Sequence, residues 1–219
     1  MIHITGDLHI PYDIAHITQG RCPPTNYLIV LGDFGLIWKG QPDPEEIYWT
    51  EWFNKKEYTT LFLPGNHENY ERLNTFPDVP LFDSTVKQIS DKIYMLKTAH
   101  LYTIENKTIF TFGGATSTDK EYRTNMVDWW EDEVPTQKEY YKGYSLLHST
   151  PVDYILTHTL PSTLVPDIFP ERKADPVSLM LQDYFKIATF KHWYCGHFHM
   201  DIAVHPSVSI VYSNILHLS

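Results

Sequence analysis

Ile2-His3-Ile4-Thr5-Gly6-Asp7-Leu8-His9 is the stretch that decides the fold. A short apolar and β-branched run ends in a glycine, and an Asp-x-His follows at once. The same order returns along the chain. Tyr27–Leu31 leads into Gly32-Asp33, and Thr60–Leu63 into Gly65-Asn66-His67-Glu68. Asp153–Thr157 leads into His158, and Trp193–Cys195 into Gly196-His197-Phe198-His199. Runs of this kind, closed by turn residues, read as buried strands. In open α/β sheets, ligands bind beyond the carboxyl ends of the strands. Five polar motifs placed there can converge on one edge, although they are spread over nearly the whole chain.

Further strands are expected at Thr108–Phe112 and as a late hairpin-like pair, Ile202–His205 and Ser209–Tyr212. Tyr94–Ile104 should add one or two more. Three helices carry start signals. Asp43 followed by Pro44, Glu45 and Glu46 supplies an N-cap, a proline at the first helical position and acids in the first turn, for a helix reaching about Glu57. Thr136-Gln137-Lys138-Glu139 is a capping box opening a helix to about His148. Asp175-Pro176 repeats the first pattern ahead of Val177–Ala188. Strands alternating with helices predict one α/β layered domain over 1–219. Its strand-rich tail points to a partly mixed sheet or two stacked sheets. Residues 116–135, with Trp129-Trp130 and many charges, read as a lid or insertion loop.

Composition limits the function. Hydrophobic residues make up 42% and aromatics 15%, enough for a packed core. A formal net charge of −10 repels polyanions, so a broad grip on long nucleic acid is disfavoured; paired cations could still reverse the field locally for a small phosphate ester. No apolar run is long enough to span a membrane. Met1 runs straight into Ile2 without a basic stretch, and there are 2 cysteines, so a cytoplasmic, reducing location is the expectation.

The motif residues share one chemistry. Carboxylate, neutral imidazole and an Asn carbonyl are donors that divalent first-row metals accept. In Asp7-x-His9 and His197-x-His199, alternate side chains of an extended segment point the same way and can face one ion. Two ions bridged by a carboxylate can clamp a phosphoryl group and activate a water.

Taken in order, Asp-x-His, Gly-Asp, Gly-Asn-His-Glu, a lone His and Gly-His-x-His resemble the calcineurin-like metallophosphoesterases. Leu31–Trp38, Gly65–Asn69, Phe112–Ala115 and Trp129-Trp130 are similar to a bacterial and phage branch of that superfamily. The resemblance implies a four-layer α/β/β/α sandwich with two mixed sheets and a dinuclear metal site at the strand C-terminal ends. It implies that Asp7, His9 and His199 hold one metal, that Asn66, His158 and His197 hold the other, and that Asp33 bridges them. A two-metal-activated hydroxide would attack phosphorus, with His67 as general acid. The metals implied are two divalent ions, manganese foremost, with iron, zinc or nickel as alternatives. Where phosphoprotein phosphatases carry an Asp-Arg pair after the Gly-Asp motif, this chain has Leu36 and Ile37, which argues against that subtype. It also leaves Arg72 or Arg123 as replacement phosphate contacts.

Singly, the motifs are weak, since an Asp-x-His is commonly a turn and glycine-rich pairs are loop punctuation. Their joint occurrence decides. Trp129-Trp130 is read as packing rather than a base-stacking platform, and Cys195 as a small buried hydrophobe. The remaining histidines, His3, His16, His100, His148, His192, His205 and His217, are read as structural or solvated. The expected function is phosphomonoester or phosphodiester hydrolysis on a small or exposed phosphate ester. The alternatives are a non-catalytic scaffold and a phosphodiesterase for nucleotides or short nucleic acids.

Overall fold

The computed structural model describes residues 1–18, 21–171 and 175–219. Alternation along the strands sets the layering. In β1 (Ile2–Thr5), Ile2 and Ile4 point to one side; in β2 (Tyr27–Val30), Ile29 joins them while Leu28 and Val30 face the other way. With β3 (Thr59–Phe62) and β6 (Ile93–Leu96) these strands run parallel. The two-residue β13 (Leu216–His217) and the hairpin β4 (Asp78–Leu81) and β5 (Ser84–Gln88) complete a 7-stranded mixed sheet in the order β13-β1-β2-β3-β6-β5-β4.

The second sheet has 6 strands, β11 (Ile202–His205), β12 (Val208–Ile210), β10 (Phe190–Cys195), β9 (Val152–Thr157), β8 (Lys107–Phe112) and β7 (His100–Ile104), in that order. Its inner four are parallel and both edges antiparallel. Ile2, Ile4, Ile29 and Leu61 from the first sheet and Ile104, Ile109 and Leu156 from the second share one core between the sheets.

Helices cover the outer faces. Phe53 of α1 (Pro44–Asn54) and Leu73 of α2 (Tyr70–Thr75) pack on Leu28, Val30 and Phe62. Leu147 of α3 (Gln137–Ser149) and Val177, Leu181 and Tyr184 of α4 (Pro176–Ile187) pack on Phe110, Phe112 and Trp193. The fold is therefore a four-layer α/β/β/α sandwich with two mixed sheets. The caps are those read from sequence. Asp43 accepts from Glu46 N at 2.9 Å, Asp175 accepts from Val177 N and Ser178 N, and Thr136 with Glu139 forms the capping box.

Several boundaries move. α1 stops at Asn54 rather than near Glu57, and the last strand pair is Ile202–His205 with Val208–Ile210. Tyr94–Ile104 holds the end of β6 and all of β7, which lie in different sheets. Among the described residues, no helix is long and apolar enough to cross a membrane. Residues 116–135 carry two short 3-10 turns, at Lys120–Tyr122 and Glu131–Glu133, and an isolated bridge between Asn125 and Trp129.

Candidate dinuclear metal centre

All five motifs leave the carboxyl ends of parallel strands, β1, β2 and β3 in one sheet and β9 and β10 in the other. Main-chain bonds tie them together. Leu8 N and His9 N both donate to Asp33 O, at 3.0 and 2.9 Å, and Gly196 N donates to His158 O at 3.1 Å. Four site residues sit at positive φ: His9 at 35°, Asp33 at 47°, His197 at 69° and His199 at 48°. Such conformations cost non-glycine residues roughly 1–2 kcal/mol each and gather at functional sites.

The side chains meet in three donor groups, each with atoms within 4.8 Å of one another: Asp7, His9 and His199; Asp33, His158 and His197; and His9, Asp33 and His67. His9 Nε2 and His199 Nε2 lie 3.1 Å apart, with Asp33 Oδ2 3.6 Å from the former and Asp7 Oδ1 3.9 Å from the latter. On the other side, His158 Nε2 is 3.3 Å from Asp33 Oδ1 and 3.2 Å from Asn66 Oδ1. Asp33 thus presents one oxygen to each side. The two sides differ in access. Asn66 and His158 are buried on one side, whereas on the other Asp7 is buried but the His199 side chain is 48% exposed.

Surrounding groups aim the donors. His158 Nδ1 sits 2.8 Å from Leu31 O and donates to that carbonyl, which turns Nε2 toward Asp33 and Asn66. Asn66 Nδ2 donates to Ser117 Oγ at 3.2 Å, which turns the amide oxygen inward. Ser117 is itself held by buried Glu133, donating from N at 2.8 Å and from Oγ at 2.6 Å. His197 N donates to both Asp7 oxygens at 3.0 Å, and His67 N to Asp33 Oδ1 at 2.8 Å. Sequence reading did not find the Ser117–Glu133 support. Its signal was limited to two polar residues within the irregular 116–135 segment.

The electrostatics suit cations. Burial pushes the Asp7 carboxyl up to about 7, with His158 opposing and Asp33 adding to the rise. Burial opposes protonation of His158, but Asp33 and Asp7 outweigh it and raise that imidazole to about 9. Burial likewise disfavours charge on Asp33, yet His158, His67 and His9 hold its carboxylate low. Burial lowers His9 to about 4, with Asp33 opposing, and burial also lowers His67, again against the pull of Asp33. Two buried carboxylates, an amide oxygen and imidazole nitrogens aimed inward from fixed supports form a donor set that fits two divalent ions, which would displace the His158 proton on binding.

Glycines keep this packing possible. Gly32 has φ 93°, and a Cβ there would meet His158 Nδ1 at 2.1 Å. A Cβ on Gly65 would meet Asp33 Oδ1, also at 2.1 Å.

His67 borders the cluster, its ring centroid 4.9 Å from that of His9. It is stacked on Trp38 at 5.6 Å, and Trp38 abuts buried Trp130 at 5.3 Å. Arg123 reaches over it, with Nη2 3.3 Å from His67 Nε2; Asp119 and the carbonyl of Asp128 hold the guanidinium. Arg72, the other arginine singled out, is engaged elsewhere. It binds both carboxylate oxygens of Glu46, at 2.6 and 2.8 Å, and Lys39 O at 2.9 Å. A groove of about 350 Å³ opens beside the cluster; His9, His67 and Trp38 are in its wall. The seven other histidines lie outside the three donor groups.

The family model described as calcineurin-like phosphoesterase matches residues 1–201. A comparison with curated proteins gives no match.

Proposed function

Because the chain belongs to the calcineurin-like phosphoesterase family, we propose that it hydrolyses small or exposed phosphate esters with two divalent ions held at the strand ends. Asp7, His9 and His199 would hold one ion, Asn66, His158 and His197 the other, and Asp33 both. The observation that carries this reading is the division of Asp33, with Oδ2 toward His9 and Oδ1 toward His158. When bound, such ions polarise phosphoryl oxygens and lower the pKa of an intervening water. Manganese is the first choice for both positions.

The chain's own groups supply the rest. His67 lines the groove beside the cluster and would hand a proton to the leaving oxygen. Arg123, held by Asp119 and Asp128, adds a fixed positive charge on the same side for the phosphoryl oxygens. Residues 116–135 then act as a lid segment that delivers Arg123 from above and braces Asn66 through Ser117 and Glu133 from behind. The net charge of −10 favours small esters over long nucleic acid.

The test is a substrate panel after chelation and return of Mn²⁺, containing an aryl monoester, an aryl diester, cyclic nucleotides, dinucleotides and a phosphopeptide. Manganese-dependent turnover of monoesters or diesters is expected, and the preferred class separates phosphatase from phosphodiesterase. Silence across the panel would favour the non-catalytic scaffold.

A further inference from the structure

The groove beside the cluster has an outer half that the chemistry above does not use. Beyond His9 and His67 its walls are Tyr12, Leu36, Trp38 and Trp49, and its far end carries Lys39 with Asp43, Glu45 and Glu46. His67 stands at the junction, so the group that leaves with the ester oxygen lies in this groove.

The far end is poorly suited to a second phosphate. Its cation Lys39 is paired with Asp43, and Arg72 behind it is spent on Glu46. Glu45 then leaves a negative excess. Helix N-termini bind anions, but α1 starts here already capped, the Asp43 carboxylate accepting from Glu46 N at 2.9 Å. The groove wall offers aromatic surface to a flat ring. Trp38 and Trp49 are half-buried, and Tyr12 is 85% exposed on the lip with no ring packed on it among the described residues. A volume of about 350 Å³ accommodates one ring system with a sugar and excludes a polymer.

Resting on the hydrolase reading, we propose that this groove is the leaving-group subsite. It selects phosphate esters of planar aromatic alcohols or nucleosides that carry one phosphate and no anionic group at the far end. The shared chemistry is a neutral or cationic ring laid against an aromatic wall. A nucleoside and a simple aryl alcohol are the two sources to separate.

The experiment has a binding arm and a turnover arm, both on the full chain. In the first, adenosine, 2-naphthol, ribose and ADP are titrated by calorimetry with and without Mn²⁺. In the second, kcat/KM is measured with Mn²⁺ for adenosine monophosphate, naphthyl phosphate and glycerol phosphate. Wild type, Trp49→Ala and Tyr12→Ala are compared; Tyr12 is exposed, so its removal does not endanger folding. Adenosine or naphthol should bind at least tenfold tighter than ribose, and, without Mn²⁺, ADP more weakly than adenosine. The ratio of aromatic to glycerol ester kcat/KM should fall about tenfold in Trp49→Ala, the scale of losing one stacking contact, and less in Tyr12→Ala. The tighter of adenosine and naphthol identifies the source.

Equal binding of ribose and adenosine, tighter ADP without Mn²⁺, or an unchanged ratio in both variants overturns the subsite. Glycerol phosphate turnover would then still uphold the hydrolase. Ring binding lost in the variants, with no ester turned over, retains the groove as a ring site and overturns the hydrolase reading.

Discussion

A methyl group added at residue 65 would sit 2.1 Å from Asp33 Oδ1, 2.4 Å from Asp33 N and 2.8 Å from His158 Nε2. Carbon contacts settle near ~3.5 Å, so Gly65→Ala demands a shift of about 1 Å or more. Rotating the Asp33 side chain relieves the first contact but not the second, which is main chain. The Gly32-Asp33 turn must therefore move, and with it the oxygens facing His9 and His158. Overpacking of this kind costs about 1–3 kcal/mol, and a chain of this size loses about 2–4 °C of Tm per kcal/mol. A fall of about 2–12 °C is expected from those two ranges. A misplacement of about 1 Å at a reacting centre costs on the order of 100-fold in rate. The assay combines a thermal melt, bound manganese per chain and kcat on an aryl phosphate. Gly40→Ala, where nothing lies within 4 Å of the added Cβ, is the control and should match wild type. Wild-type manganese content and turnover in Gly65→Ala would refute the packing argument.

Other consequences are open to measurement. His67→Ala should leave bound manganese at the wild-type level while kcat falls by about 100-fold or more; unchanged kcat would remove His67 from proton transfer. Glu133→Gln replaces one of the two acceptor oxygens that hold Ser117, and through it Asn66. Manganese affinity should drop by about 10–100-fold, and equal affinity in a titration would show that the brace is idle. Arg72→Ala breaks the two-bond clamp on Glu46. Denaturant unfolding should report a loss of about 1–3 kcal/mol, with manganese stoichiometry retained; loss of metal instead would place Arg72 closer to the site than its bonds indicate.

The convergence of the candidate ligands was legible in the sequence because metal chemistry tolerates few residue types, and strand ends fix where they can stand. Asp7, His9, Asp33, Asn66, His158, His197 and His199 converge as their positions after strands required. The helices were legible through caps at Asp43, Thr136 and Asp175, each a local bond. The β4–β5 hairpin was not. It turns through Phe82 and Asp83, both at positive φ (56° and 58°), without the Asn-Gly or Asp-Gly pair that announces such turns. The split of Tyr94–Ile104 between sheets was equally hidden, because both halves are apolar and the break at Ala99, φ 58°, carries no glycine. Arg123 over His67, Trp38 beneath it and Glu133 behind Asn66 depend on how an irregular segment lies. No periodicity encodes that.

The central claim is that Asp33 joins two cations. Anomalous diffraction from manganese-loaded crystals tests it most directly. Two peaks about 3.5–4 Å apart are expected, one against Asp7, His9 and His199, the other against Asn66, His158 and His197, with an Asp33 oxygen on each. A single peak, or two peaks of which either lacks Asp33, would contradict it.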